Sequence, residues 1–136
     1  MFSEQTISIR VRYTEVDAMG YLHHSRFFQY FEIGRVELLR LNGHQYADLE
    51  KRGIFFVVAR AECKFMAPAR YDEIVELTTR VERQTLVRID HVYELKRKGT
   101  LLASAKTTIA CVDREGKLKE IPAEVLGKPT DGAGGL

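Results

Sequence analysis

The feature that most limits the fold of this chain is one long helical pattern followed by four long strand-like runs. In residues 25–41 the apolar side chains recur at steps of four and three, which is typical of one face of an α-helix. That face consists of Phe27, Phe31, Gly34, Leu38 and Leu41. Asn42 and Gly43 end the pattern, as is common at a helix C-terminus. Glycine costs about 1 kcal/mol relative to alanine inside a helix, so Gly34 is there either by chance or because the helix packs closely against a sheet, and we favour close packing.

The rest of the sequence is mainly typical of β-structure. Residues 7–13 alternate between apolar and polar side chains, as a half-buried strand requires. The apolar face of that strand carries Ile7, Ile9, Val11 and Tyr13. A short second helix is predicted for residues 45–52, and the four later strands are predicted for 54–66, 73–84, 86–98 and 100–113. Their short connections favour antiparallel pairing, so we predict an α+β fold with a curled five-stranded antiparallel sheet around one long helix.

The composition indicates one small domain and argues against nucleic acid or membrane as partners. With 136 residues and 45% hydrophobic content, the chain can form one core, expected over residues 1–126, with a flexible tail over 127–136. Lys and Arg total 21 against 19 Asp and Glu, so a broad basic field for phosphate backbones is lacking. The apolar runs are too short for a bilayer span, and the first residues do not resemble a secretory signal. We therefore expect a cytoplasmic protein with Cys63 and Cys111 reduced.

Residue types that build active sites are concentrated between the first strand and the helix. Asp17, Gly20, His23 and His24 lie in this stretch, which has no periodicity. An acidic group beside a helix N-terminus would lie near free backbone N–H donors that can stabilise an oxyanion, and this arrangement suits acyl transfer. A plain connection is equally compatible with these residues. In that case Asp17 closes an Asx-turn and both histidines are exposed to solvent.

The same segment resembles a known family. The pattern is Tyr13-x3-Asp17-x2-Gly20-x3-His24-x2-Phe27, followed by Phe31-Glu32-x2-Arg35-x-Glu37. It is similar to the signature of the 4-hydroxybenzoyl-CoA thioesterase family, including its branch associated with the Tol-Pal system. Weaker matches at Pro68-x3-Asp72 and Ile121-Pro122 extend the resemblance over most of the chain. The resemblance implies the hotdog fold and hydrolysis of a short-chain or aromatic acyl-CoA thioester without metal or organic cofactor.

The resemblance also implies roles for individual residues. Asp17 takes the place of the catalytic carboxylate, as nucleophile or as the general base that activates water. His24 stands where the residue at the helix start offers its backbone N–H to the thioester carbonyl. Tyr13 and the His24 side chain match polar residues of the site, and Gly20 and His23 are expected at the substrate. His23 departs from the aromatic or apolar residue that is frequent in the family at this position.

Other charged residues are candidates for catalysis or binding. Glu32 is a rival catalytic carboxylate, because another branch of the hotdog fold uses an acid on the helix, but its spacing to Arg35 is that of ordinary helix charge pairing. Arg60, Lys64 and Arg88 are expected to meet the phosphates of coenzyme A, although alternating strands expose charged residues in any case.

A metal site is not expected from the histidines. Adjacent His23 and His24 should point apart, whereas metal ligands must converge. We expect His44 and His91 in a turn and on a strand surface, respectively.

Two other functions are alternatives to thioester hydrolysis. A hotdog hydratase or dehydratase would need a histidine and a carboxylate placed to move a proton on the acyl chain. A non-catalytic acyl-CoA-binding regulator would normally carry a further module.

One helix cannot shield both faces of a five-stranded sheet, so we expect a homo-oligomer, a dimer or a tetramer of two dimers. The resemblance implies that two sheets join edge to edge and that each active site lies at a subunit boundary.

Overall fold

The computed structural model describes residues 1–126, which form five strands and two α-helices. In chain order the elements are β1 (Glu4–Arg10), α1 (His24–Leu41), α2 (Tyr46–Lys51), β2 (Phe55–Phe65), β3 (Ile74–Gln84), β4 (Arg88–Arg97) and β5 (Thr100–Val112). A short 3-10 turn over Tyr13–Glu15 lies between β1 and α1. The tail predicted for 127–136 lies outside the described residues. The bounds of α1, α2 and the four later strands lie close to the predicted ones.

All five strands form one antiparallel sheet in the order β1-β3-β4-β5-β2. β1 and β2 are therefore its two edges. The helix α1 packs on one face, called here the inner face, through buried side chains that meet those of β3, β4 and β5. The predicted α+β fold, with a five-stranded antiparallel sheet and one long helix, is confirmed.

The first strand begins and ends earlier than predicted. It covers Glu4–Arg10 instead of 7–13, because beyond Val11 the chain leaves the sheet and coils into the 3-10 turn. Val11 is still buried, and its N–H donates to the carbonyl of Glu73 at 2.9 Å. Tyr13, however, is 75% exposed, so the prediction that it shares the inner face with Ile7 is wrong. The alternating pattern continues past the point where strand pairing stops.

The position of α1 depends on Gly34. A Cβ at this residue would lie 2.8 Å from Cδ2 of Leu77 and closer still to the side chain of Thr79. Only glycine lets the helix backbone approach β3 this closely, so the close packing predicted for Gly34 is confirmed. Leu41 is 42% exposed, because it is the last residue of α1 and lies beyond the packed turns. The prediction that Leu41 belongs to the packed face is therefore wrong. Arg35, a charged residue of the same helix, is buried.

Two further properties concern membrane spans and the state of the cysteines. Within residues 1–126, no helix is long and apolar enough to cross a membrane. Cys63 and Cys111 are both free thiols, and burial raises the pKa of Cys63 to about 11. Neither cysteine therefore carries a structural disulfide in this fold.

Candidate active site

The segment between the 3-10 turn and α1 forms a small hairpin with Asp17 at its start. Val16 pairs with Leu22 in an isolated antiparallel bridge. The N–H of Asp17 donates to the carbonyl of Tyr21 at 2.8 Å, and the N–H of Gly20 donates to the carbonyl of Asp17 at 2.9 Å. Gly20 has a φ of 79°, a left-handed conformation that glycine adopts without strain. The hairpin gives the Asp17 carboxylate a defined position just before the helix.

One oxygen of the Asp17 carboxylate is held and the other is free. Oδ1 accepts hydrogen bonds from the N–H groups of Met19 at 2.8 Å and Tyr21 at 3.1 Å. Oδ2 accepts none from the described part of the chain, and the residue is exposed. This is the Asx-turn that the sequence left open as an alternative. The turn engages only one oxygen of the carboxylate. Oδ1 fixes the orientation of the group, and Oδ2 stays available to a substrate.

The helix start offers an unused backbone donor, the N–H of His24. His23 is the N-cap of α1, and its Nδ1 accepts from the N–H of Ser25 at 3.2 Å while its carbonyl accepts from the N–H of Arg26 at 2.9 Å. His24 is the first residue of the helix, and its N–H donates to no group within residues 1–126. The positive end of the helix dipole adds to this donor.

The two histidines lie side by side. The ring centroids of His23 and His24 are 4.2 Å apart and their planes differ by 31°. The prediction that they point apart is therefore wrong, because the N-cap conformation turns the His23 ring back over the helix start. Both histidine side chains are exposed, as expected if this segment is only a connection between the first strand and the helix. Their rings form part of the surface around the free His24 N–H.

A buried carboxylate that the sequence analysis missed joins these parts. Glu15 is 3% exposed, and its Oε1 accepts from the Tyr30 hydroxyl at 2.7 Å and from the N–H of Arg12 at 2.8 Å. The Arg12 guanidinium lies 3.1 Å from its other oxygen. The carbonyl of Glu15 accepts from the N–H of His23 at 2.9 Å. One residue thus links the turn before Asp17 to the helix and to its N-cap.

Glu15 is ionised in spite of its burial. Burial by itself raises the pKa of this carboxyl, but the hydrogen bonds from Arg12 and Tyr30 outweigh it, and the pKa lies below its ordinary value. Burial and the bond to Glu15 also raise the pKa of Tyr30, so the phenol keeps its proton and remains the donor. The signal in the sequence was Glu15 three residues after Arg12, the spacing of a capping box.

Aromatic side chains brace the outer side of the hairpin. The ring of Tyr13 contacts that of Tyr71 edge to face, with centroids 5.5 Å apart. Tyr21 pairs with Arg70 in an isolated bridge, and the Arg70 guanidinium lies 5.0 Å from the centre of the Tyr21 ring. The loop before β3 therefore supports the Asp17 hairpin, while Tyr13 and Gly20 remain at its accessible surface.

An apolar surface lies beside the helix start and was not singled out from the sequence. Phe65, at the end of β2, is 49% exposed and packs edge to face on Phe27 with ring centroids 4.9 Å apart. Met66 follows it and is 48% exposed. Phe27 is in the first turn of α1, so this surface adjoins the free N–H of His24. The signal in the sequence for this surface was the pair of large apolar side chains, Phe65 and Met66, at the end of a predicted strand.

The three predicted phosphate ligands do not reach the hairpin within one chain. Arg60 pairs with Thr108 and Lys64 with Ser104, on the row of β5 that alternates with the buried inner row. Arg88 alternates in the same way with the buried Ile89. All three basic side chains are exposed on the sheet face away from α1.

The remaining candidates have local explanations. Glu32 is 64% exposed and lies 3.9 Å from Arg35 on the same helix, the pairing expected of it. His44 lies 3.0 Å from the carbonyl of Glu124. His91 is buried, so its predicted place on the strand surface is wrong: it belongs to the inner row of β4 between Ile89 and Tyr93. Within residues 1–126 no group of three or more His, Cys, Asp or Glu residues could hold a metal ion.

A long helix on a five-stranded antiparallel sheet, with a carboxylate hairpin at the helix start, defines a protein of the hotdog fold. The chain belongs to the Thioesterase-like superfamily, whose family model matches residues 11–128.

Its relatives include an acyl-CoA thioesterase, YbgC, of Haemophilus influenzae, 34% identical over 86% of this chain and 88% of that protein. A solved structure of a Thermus thermophilus protein is 37% identical, with a TM-score of 0.84 over 90% of this chain and 92% of that one. The DHNA-CoA thioesterase of Staphylococcus aureus is 29% identical, with a TM-score of 0.83 over 86% of this chain and 80% of that one.

We expect Glu15→Gln to lower the free energy of unfolding at neutral pH by about 1–3 kcal/mol, because the amide loses a charge-assisted acceptor. The folded-state pKa of Glu15 is below the ordinary value of 4.5, so its ionisation stabilises the fold above that pH and ceases to do so as the pH falls through the folded-state pKa. The difference between wild type and variant, measured by urea unfolding, should be constant near neutrality and shrink below pH 4.5.

The exposed Glu4→Gln variant is the control for this series, and it should unfold like wild type at every pH. A Glu15→Gln difference that stays constant down to the lowest pH would contradict the ionised state assigned to this carboxyl.

Proposed function

We propose that this chain hydrolyses an acyl-CoA thioester to the free acid and coenzyme A, with Asp17 as the reacting carboxylate. The observation that carries the proposal is the exposed Asp17 side chain, fixed through Oδ1 and open at Oδ2, immediately before the start of α1. Membership of the Thioesterase-like superfamily and the names of its relatives confirm the predicted class of enzyme, an acyl-CoA thioesterase. Asp17 itself is assigned on the geometry.

Two chemical routes fit the free oxygen of Asp17. In the first, Oδ2 attacks the thioester carbon, the thiolate of coenzyme A leaves, and water then hydrolyses the anhydride. In the second, Oδ2 takes a proton from a water molecule, which attacks the same carbon. Both routes consume one water and yield one acid and one thiol. Neither needs a histidine base or a metal, because a thioester carbonyl is reactive and a thiolate leaves readily.

The backbone N–H of His24 is the proposed oxyanion donor. The N–H groups of Ser25 and Arg26 are already bonded to His23, whereas the N–H of His24 donates to no group within residues 1–126. A preorganised N–H at the positive end of a helix stabilises the negative charge that develops on the carbonyl oxygen. Tyr13, Gly20, His23 and the His24 side chain are proposed to line the substrate around this point.

The acyl group is proposed to rest on the exposed apolar surface of Phe65 and Met66. This surface adjoins the first turn of α1 through the contact of Phe65 with Phe27. An aromatic ring there favours a short or aromatic acyl group, in keeping with 4-hydroxybenzoyl-CoA thioesterases and with a relative named for DHNA-CoA. Release of free thiol from a panel of acyl-CoAs identifies the substrate. A hydratase or a non-catalytic binding protein would release none.

A homodimer joined through β2 is proposed as the working unit. β2 is an edge strand of 11 residues, and Val57 and Val58 in it are 45% and 52% exposed. An open apolar edge of this length favours pairing with a second copy. Such pairing places β2, with Arg60 and Lys64, beside the hairpin of the neighbouring subunit. On this proposal the basic residues, Arg88 included, meet the phosphates of coenzyme A bound across the boundary.

We expect Asp17→Asn to lower kcat by at least about a hundredfold, because the amide keeps the Oδ1 acceptor of the turn but loses the nucleophilic or basic oxygen. Thiol release under saturating substrate measures the effect, and the melting temperature should stay close to that of wild type. Asp48→Asn, an exposed carboxylate in α2, is the matched control and should retain full activity. Turnover within a few-fold of wild type would refute the role of Asp17 and direct attention to Glu32.

His24→Pro and His24→Ala separate the backbone donor from the imidazole. Proline removes the N–H but is tolerated at the first position of a helix, so kcat should fall by about a hundredfold without loss of the helix. Alanine keeps the N–H and should cost less than about tenfold. Equal loss in both variants would assign the effect to the side chain, and full activity in both would place the oxyanion donor elsewhere.

We expect sedimentation velocity to show a dimer or a tetramer of dimers, and activity to fall together with the assembly on dilution. Val58→Asp should weaken the assembly, because it places a charge on the apolar β2 edge. Leu86→Asp, at another exposed apolar residue in the β3–β4 turn, should not. A fully active monomer of 15.6 kDa would be incompatible with a site at the subunit boundary.

A further inference from the structure

A cavity of about 710 Å³ lies between the C-terminal half of α1 and the inner face of the sheet. Apolar side chains on its walls include Leu38, Ile89 and Ile109. Leu38 follows His24 by fourteen residues, which corresponds to about 21 Å along an α-helix. The cavity is therefore at the opposite end of α1 from the Asp17 hairpin, and the reaction proposed above makes no use of it.

A buried cation without a close carboxylate lines this cavity. Arg35 is 8% exposed, and its Nη1 lies 3.4 Å from the hydroxyl of Tyr93. Its nearest carboxylate, on the exposed Glu32, is 3.9 Å from Nη2. Nε has no hydrogen-bond partner within residues 1–126. Within residues 1–126 this buried guanidinium has only a long ion pair to an exposed carboxylate, which offsets little of the cost of burying it, so the arrangement favours a further anionic group at Arg35.

A second unpartnered polar group faces the same space. His91 is 5% exposed and lines the cavity, and its Nδ1 has no partner among the described residues. Burial, helped by the nearby positive charge of Arg35, lowers the pKa of His91 to about 3, so the ring is neutral at physiological pH. A neutral imidazole can donate one hydrogen bond without adding a second charge.

Tyr46 completes the polar part of the wall. Burial raises the pKa of its hydroxyl, and the positive charge of Arg35 offsets only part of that rise. The phenol therefore keeps its proton and is a third potential donor beside the guanidinium and the imidazole. One positive charge, neutral donors and apolar walls match a monoanion with an apolar body. Among the side chains of residues 1–126 that line the cavity, Arg35 is the only cationic one, so a dianionic phosphate would be paired only in part.

We propose that this cavity is a second ligand site, which binds a carboxylic acid with an apolar chain or ring. The carboxylate pairs with Arg35 and accepts from His91, and the apolar part contacts Leu38, Ile89 and Ile109. The volume lies within the range of about 300–1,000 Å³ that is usual for small-molecule sites. The proposal is independent of the role of Asp17, because it depends on residues at the other end of the helix.

Calorimetric titration of the full-length protein with decanoate and with decanol tests the site. The two probes have equal chain length and differ in charge. We expect one decanoate per chain, bound at least about tenfold more tightly than decanol, because only the acid pairs with the guanidinium. Arg35→Met should weaken decanoate binding by about ten- to hundredfold and leave decanol binding little changed. Arg40→Met, at an exposed arginine of the same helix, should leave both affinities unchanged.

Two further measurements locate the acid and guard against misfolding. Methyl NMR signals of Ile89 and Ile109 should shift on addition of decanoate, and the affinity should be the same with coenzyme A present and in Asp17→Asn. If Arg35→Met does not fold by circular dichroism, Ile109→Phe, which fills the cavity, should abolish binding instead. Equal affinity for acid and alcohol, wild-type affinity in both cavity variants, or loss of binding in Asp17→Asn would overturn the proposal.

Discussion

The approach of α1 to β3 at Gly34 is the contact on which the rest of this structure depends. Because no side chain separates the helix backbone from Leu77 and Thr79, the helix lies directly on the sheet. Phe31 then stacks on Tyr93 with ring centroids 4.7 Å apart, which fixes the helix in the direction of β4. Both functional regions follow from this one placement. The N-terminus of α1 meets the Asp17 hairpin, and its C-terminal half covers the cavity that contains Arg35.

Two carboxylates two positions apart in the chain, Glu15 and Asp17, have opposite surroundings, and different tasks are proposed for them. Glu15 is buried and fully hydrogen-bonded, and it holds the hairpin, the N-cap and the helix in one arrangement. Asp17 is exposed and only half engaged, so it has an oxygen to offer. A rigid support next to a reactive group reduces the reorganisation that a reaction requires. The division depends on burial, since the two side chains have the same chemistry.

On the proposed dimer, two chains together form the surface around each hairpin. Phe65 borders the helix start through its contact with Phe27, while Arg60 and Lys64 project from the opposite face of the same strand. Because β2 is an unpaired edge, a second copy can supply what the first lacks. The ends of α1 also differ in character: the N-terminal end has the free N–H of His24 at the surface, and the C-terminal half has the buried cation of Arg35. This contrast is the reason for assigning different ligands to the two ends.

The sequence by itself determined the elements of this fold and the identity of the hairpin residues, because helical and strand periods, turn residues and the spacing from Tyr13 to Phe27 are local properties. It also identified Gly34 as a point of close packing. The tertiary structure decided where pairing of β1 ends, that Glu15 supports the site, and that Arg35 and His91 are buried. These outcomes depend on which side chains the helix covers after it docks; the spacing of Arg12 and Glu15 indicates a local capping box but not the burial of Glu15. From the sequence alone, a charged residue on a helix is expected to be exposed to solvent. Its burial is evident only once the position of the opposing strand is known.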